Sequence, residues 1–204
     1  MNILAIGAHP DDIEFGCGGT LMKYIEKGAG VYLLVLTRGE IGGNPETRTK
    51  EQEEAGKFMK VKKIFWGDFK DTELPLNKPL ISNIEKVINK VKPQIVLFNY
   101  SEDIHQDHRA LAKAGISATR YIKEVLCYEV PTSKNFEPSI FVNIEDVFDN
   151  KLKLLKIHAS QVHKTNVENL TILDSIQACA VFRGYQGRVK YAEGFIPLRM
   201  MKEI

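Results

Sequence analysis

The 204-residue sequence has few cysteines, almost no net charge and no long apolar run at its start. Its three cysteines lack Cys-x-x-Cys spacing, which argues against a disulfide framework or a cysteine-rich zinc site and is typical of reduced thiols. Twenty-eight basic and 26 acidic residues leave a formal charge of +2, so no general field attracts nucleic acid or anionic lipid. The amino-terminal apolar segment is too short for a signal peptide or a membrane span. We therefore expect a cytoplasmic protein with neither a nucleic-acid nor a membrane partner.

What the sequence does contain is the composition of a folded domain. Hydrophobic residues make up 44% of the chain and charged residues 26%, which excludes a disordered or fibrous protein. At about 150 residues per domain, this length favours a single domain over residues 1–204.

Short apolar segments alternate with amphipathic segments over the first two thirds of the chain. Such alternation predicts parallel strands joined by right-handed helical crossovers. We therefore predict an α/β fold with a Rossmann-like, mostly parallel sheet and helices on both faces. The predicted strands cover residues 3–7, 31–36, 63–67, 95–98, 125–129, 139–142 and 189–195. The predicted helices cover residues 20–28, 46–59, 80–91, 106–122, 147–160 and 170–182.

Two clusters of histidine and aspartate follow the first and fourth predicted strands. The first cluster contains His9, Asp11 and Asp12, and the second contains His105, Asp107 and His108. In the common strand order 3-2-1-4-5, strands 1 and 4 are neighbours, and their carboxyl ends flank the crevice where ligands bind. We therefore expect the two clusters to face each other.

Three imidazoles and three carboxylates at one crevice favour a catalytic metal over an ordinary polar turn. A catalytic zinc takes three protein ligands and leaves a fourth position for water. The ligands that we select are His9, Asp12 and His108. The groups left for proton transfer are Asp11 and His105, with Asp107 next to them. A metal that activates water beside a base favours hydrolysis of an amide or acyl bond.

Each remaining group has a role that suits this chemistry. Asp11 is placed to act as the general base. His105 is placed either to donate a hydrogen bond to the developing oxyanion or to protonate the leaving amine. Asp107 is placed to orient a nearby imidazole or raise its pKa.

Three glycines, at positions 16, 18 and 19, follow the first cluster. They do not form the G-x-G-x-x-G dinucleotide fingerprint, and the preceding carboxylates would repel a pyrophosphate. We expect them to allow close packing of a helix on a strand.

Segments 8–20 (AHPDDIEFGCGGT) and 105–109 (HQDHR) resemble the PIG-L/LmbE-like family of zinc-dependent de-N-acetylases. Weaker matches extend the resemblance over nearly the whole chain: segments 37–40, 158–161 and 191–195, and Arg48 with Glu51 and Ala55. Gln106 departs from the family pattern, which often has proline there.

The resemblance implies the same zinc ligands, with Asp11 as the base. It implies assistance to the oxyanion or the leaving group by His105, support of His105 by Asp107, and contact of Arg48 with polar groups of the substrate. The implied cofactor is Zn²⁺, or another divalent metal such as Fe²⁺. The implied substrate is a small N-acetylated amino sugar of the N-acetylglucosamine type, which would yield acetate and a free amino sugar. A homo-oligomer is compatible with the resemblance.

Two other functions stay open at this point. One is a non-catalytic, Rossmann-like sugar- or nucleotide-binding protein with a structural metal site. The other keeps the mechanism but cleaves a different bond, as an amidase acting on a thiol conjugate of an amino sugar.

Overall fold

Seven segments form strands of a single sheet in the computed structural model, which describes residues 1–201. They are β1 (Asn2–Gly7), β2 (Gly30–Thr37), β3 (Lys63–Phe69), β4 (Ile95–Asn99), β5 (Glu124–Tyr128), β6 (Ile140–Asn143) and β7 (Ala192–Arg199). Their order across the sheet is β3-β2-β1-β4-β5-β7-β6. The first five strands are parallel, whereas β7 pairs antiparallel with both β5 and β6. The predicted α/β fold and the predicted order of the first five strands are confirmed.

The helices of the described residues connect these strands and cover the sheet. They are α1 (Asp12–Glu26), α2 (Pro45–Met59), α3 (Lys78–Val91), α4 (Gln106–Ala118), α5 (Phe148–Ile157) and α6 (Ile172–Gly187), with a 3-10 turn at Glu145–Val147. None of the helices within residues 1–201 has the length and hydrophobicity needed to cross a membrane.

The sheet separates two apolar cores. Ile3 and Ala5 of β1 point into a core shared with α1, α2, α5 and α6. Leu4 and Ile6, which alternate with them, point into the opposite core, shared with α3 and α4. Because both faces of the central strands are buried, these strands are continuous apolar runs in the sequence.

The start of α1 differs from the prediction, which placed the first helix at residues 20–28. The helix begins at Asp12 and contains the three glycines. Each glycine costs a helix about 1 kcal/mol relative to alanine, so their local preference is against a helix. Packing overrides that preference, because a Cβ atom on Gly16 would lie 2.0 Å from the ring of Tyr128 in β5. The expected close packing of helix on strand is confirmed at Gly16, whereas Gly18 faces Leu154 of α5.

The other differences concern the ends of elements. Helix α4 ends at Ala118 and not at residue 122, and α5 begins at Phe148 and ends at Ile157. Helix α6 begins two residues later than predicted and continues to Gly187, while β7 covers Ala192–Arg199 and not residues 189–195.

The Gly16→Ala substitution tests the contact between α1 and β5. The new Cβ would overlap the Tyr128 ring, whose hydroxyl donates to the Ile6 carbonyl at 2.8 Å. Such overpacking is expected to lower the free energy of unfolding by about 1–3 kcal/mol in urea denaturation.

Gly18→Ala is the matched control in the same helix. Its Cβ would meet the end of the Leu154 side chain at 3.0 Å, which is able to move aside, and alanine favours a helix by up to about 1 kcal/mol. Equal stabilities of the two variants would contradict the packing argument.

Candidate metal centre

The loop after β1 turns sharply into α1 and places two aspartates at the helix start. Asp11 is the residue before α1 and has a left-handed backbone conformation, with φ of 92°. Asp12 is the first residue of the helix, and its Oδ2 accepts a hydrogen bond from the backbone N–H of His9 at 2.9 Å. This hydrogen bond holds the His9 and Asp12 side chains on the same side of the loop.

The loop after β4 carries the second cluster into α4. His105 caps α4, because its Nδ1 accepts from the backbone N–H of Asp107 at 3.2 Å. His108 lies in the first turn and is buried. Since β1 and β4 are parallel neighbours, the imidazole of His9 lies 4.6 Å from that of His105 and 5.2 Å from that of His108, measured between ring centroids. The expectation that the two clusters face each other is confirmed.

Three donor atoms from these loops form a nearly equilateral triangle. His9 Nδ1 lies 3.2 Å from His108 Nε2 and 3.5 Å from Asp12 Oδ2, and the last two atoms are 3.3 Å apart. Tetrahedral ligands at about 2.0–2.1 Å from zinc are separated by roughly 3.3 Å, so the triangle has the dimensions of such a site. The donor set of two imidazoles and one carboxylate fits the same metal. The His9–His105–His108 and His9–Asp71–Asp107 groups also bring ligand atoms within 4.8 Å of one another.

The second nitrogen of each histidine in the triangle contacts a carboxylate. His108 Nδ1 lies 3.2 Å from Asp103 Oδ1, and His9 Nε2 lies 3.0 Å from Asp71 Oδ1 and 3.2 Å from Asp107 Oδ2. This arrangement is the one by which proteins orient metal-binding histidines. It favours the triangle over the other two groups as the metal position.

The electrostatics of the cluster also favour a cation. Burial lowers the pKa of His108, but Asp12 and Asp103 outweigh burial and raise that pKa to about 9. The buried carboxylates therefore stabilise positive charge at this position.

Asp107 has a different partner from the one that the resemblance implied. Its carboxylate accepts from the backbone N–H groups of Thr72 and Leu74 and contacts His9. The only hydrogen bond between Asp107 and His105 in the described part of the chain is from the backbone N–H of Asp107, although the Asp107 charge also raises the pKa of the His105 ring. The reason is the direction of the first turn of α4, which points this carboxylate toward the loop after β3.

Two further carboxylates of the site, those of Asp71 and Asp103, are not predicted by the sequence patterns. Asp71 is buried in the loop after β3, and its Oδ2 accepts from the backbone N–H of Ile41 at 2.9 Å. Asp103 is buried two residues before His105. The only local signal for Asp103 was its position next to the second cluster, and Asp71 had none.

Asp11 lies beside the triangle with a side chain that is 26% exposed. Desolvation in the crevice raises the pKa of its carboxyl to about 6, although Arg48 opposes the shift. The Oδ2 atom of Asp11 is 3.4 Å from Arg48, and its backbone N–H donates to Gln52 at 3.4 Å.

Arg48 is buried below the first loop. Its NH2 donates to the Pro10 carbonyl at 2.7 Å, and its NH1 donates to the Gly39 carbonyl at 2.9 Å. These contacts hold two loops of the site together. The contact of Arg48 with substrate stays a prediction.

Comparisons with known proteins show which family this chain resembles. The family model described as "PIG-L: GlcNAc-PI de-N-acetylase" matches residues 4–119. The "Uncharacterized deacetylase YaiS" of Escherichia coli K12 is 36% identical over 78% of this chain and 90% of its own length. The diacetylchitobiose deacetylase of Thermococcus kodakarensis is 30% identical over 96% of this chain and 83% of its own. The structure of N,N'-diacetylchitobiose deacetylase from Pyrococcus horikoshii has a TM-score of 0.86 and 26% identity, over 97% of this chain and 83% of that one.

The Asp107→Asn substitution tests the orientation of His9. It removes the charge that faces His9 Nε2 and leaves one amide oxygen, which can accept from the backbone N–H of either Thr72 or Leu74. Metal affinity is expected to fall about tenfold to a hundredfold, measured by competition for Zn²⁺ with a chromophoric chelator. Asp149→Asn, at an exposed position of α5, is the control, and an unchanged affinity in Asp107→Asn would refute the support of His9 by this carboxylate.

Proposed function

Because the chain belongs to the PIG-L family, we propose that it is a metal-dependent hydrolase that removes the acetyl group from an N-acetylglucosamine-type substrate. The products are acetate and a free amino sugar. The observation that carries this proposal is the triangle of His9, Asp12 and His108 beside the partly exposed Asp11. The names of the relatives support the same reaction, since two of them are deacetylases of an N-acetylated sugar.

We assign the metal to the triangle of His9, Asp12 and His108 and expect Zn²⁺, with another divalent ion such as Fe²⁺ as the alternative. When bound, the metal supplies Lewis acidity, which polarises the amide carbonyl and makes water a stronger nucleophile.

Asp11 is the general base in this proposal. A carboxylate with a pKa of about 6 is ionised near neutral pH, yet it accepts a proton more readily than an ordinary aspartate. It takes a proton from the attacking water as the water oxygen bonds to the acetyl carbon. When the C–N bond breaks, the same proton passes to the leaving nitrogen, which becomes the free amine.

His105 stabilises the developing oxyanion. Burial lowers its pKa, and the neighbouring His9 and His108 lower it further, so the ring is neutral near pH 7. Its Nδ1 accepts from the Asp107 N–H, so the single ring proton lies on Nε2. A neutral imidazole with this tautomer donates a hydrogen bond without giving up its proton, which favours the oxyanion role over protonation of the amine.

The Asp11→Asn substitution tests the base. The variant is expected to fold and to bind one metal ion per chain, because Asp11 lies outside the triangle. Loss of the base is expected to reduce kcat about 10²- to 10⁴-fold, measured as amine release with fluorescamine. Asp149→Asn serves as the control, and full activity in the Asp11→Asn variant would disprove the assignment.

Metal removal tests the reaction class. Dialysis against a chelator is expected to abolish amine release from N-acetylglucosamine and diacetylchitobiose, and added Zn²⁺, Co²⁺ or Fe²⁺ is expected to restore it. The substrate panel includes a thiol conjugate of an N-acetylated amino sugar. Metal bound at one ion per chain with no amine released from any member would favour the non-catalytic binding protein.

A further inference from the structure

A buried ion pair binds the middle of α1. Lys151 of α5 is fully buried, contacts the carboxylate of Glu193 in β7, and donates from Nζ to the Phe15 carbonyl at 2.6 Å. The two carboxylate oxygens of Glu193 accept from the backbone N–H groups of Gly19 and Thr20, at 2.8 and 2.7 Å. The two charged side chains therefore contact each other, and each also binds the backbone of α1.

These contacts involve groups that a regular helix pairs internally. In an α-helix, the N–H groups of residues 19 and 20 donate to the carbonyls of residues 15 and 16. Here Glu193 of β7 supplies an acceptor to this turn, and Lys151 of α5 supplies a donor. Charge-assisted hydrogen bonds of this kind are short and directional, so they restrict movement of α1 along its own axis.

The turn bound by the ion pair is close to the candidate metal centre. The backbone N–H of Phe15 donates to the Asp11 carbonyl at 2.9 Å, so Lys151 contacts a residue one helical turn from Asp11. Asp12 precedes Gly19 by about 10 Å along the helix axis. Because the turn at residues 15–20 is held in place, the positions of Asp11 and Asp12 along the axis of α1 are held as well.

Asp11 needs such a constraint because its backbone is strained. A non-glycine residue with φ of 92° persists only where the surrounding structure holds it there. Arg48 and Gln52 hold the loop from one side, and the ion pair holds the helix that follows it.

We propose that Lys151 and Glu193 are positioning residues, which hold α1 where Asp11 keeps its left-handed conformation and Asp12 completes the metal triangle. A buried ion pair adds little stability compared with apolar side chains of similar volume, so stability alone does not account for it. The activity readout below rests on the proposed function, whereas the metal-affinity readout does not.

The test is the double variant Lys151→Met/Glu193→Met. Apolar side chains replace both charges, so the thermal midpoint is expected to stay close to that of the unsubstituted protein. Without the ion pair, the turn at residues 15–20 loses its hydrogen bonds to Lys151 and Glu193, and α1 is expected to shift. Zn²⁺ affinity, measured by chelator competition, and kcat are each expected to fall about tenfold to a hundredfold, while KM changes by less than about twofold.

The single substitution Lys153→Met, at an exposed lysine of α5, is the matched control and is expected to change none of these quantities. Glu193→Asp is the second variant, because it keeps the charge and withdraws the carboxylate by one methylene. It is expected to lower Zn²⁺ affinity in a folded protein even if the double variant does not fold.

Wild-type Zn²⁺ affinity in a folded double variant would overturn the inference and leave the ion pair a purely structural one. If the double variant is unfolded, a wild-type Zn²⁺ affinity in Glu193→Asp would overturn the inference. An unsubstituted protein that binds Zn²⁺ but releases no amine would disprove the proposed function, and the affinity comparison would still decide the role of the ion pair.

Discussion

The parallel pairing of β1 with β4 is the constraint on which the candidate site depends. Ile6 of β1 lies opposite Phe98 of β4, so the two strands deliver their following loops to the same edge of the sheet. Neither loop alone supplies the three donor atoms of the triangle. The first supplies His9 and Asp12, and the second supplies His108. The triangle of donor atoms therefore exists only because two segments almost a hundred residues apart are neighbours in the sheet.

The fold and the ligand-bearing loops could be predicted because their signals are local. Buried parallel strands are continuous apolar runs, and the motifs directly follow two of them. The start of α1 could not be predicted in this way. Glycine has a poor helix propensity at every position, and the reason for Gly16 in α1 is the ring of Tyr128, which is distant in the sequence.

The carboxylates that contact His9 and His108 could be predicted even less well from the sequence. Asp71 reaches His9 from the loop after β3, and Asp107 reaches His9 although its own loop contains His105. Which of several nearby imidazoles an aspartate contacts depends on the direction of one helical turn, which sequence spacing does not determine. Lys151 and Glu193 are separated by 42 positions, and nothing local in the sequence marks two opposite charges on different elements as partners.

The left-handed backbone of Asp11 has a consequence for how this fold can change over evolutionary time. Glycine, asparagine and aspartate are the residues that adopt such a conformation most readily. A chain that replaces Asp11 with asparagine or glycine would keep the shape of its loop and lose only the carboxylate that we propose as the base. The substitutions that this backbone conformation tolerates best would therefore give folded proteins that keep the triangle of His9, Asp12 and His108 but lack the proposed base. One accepted substitution would be enough to turn a hydrolase of this architecture into a metal-dependent binding protein.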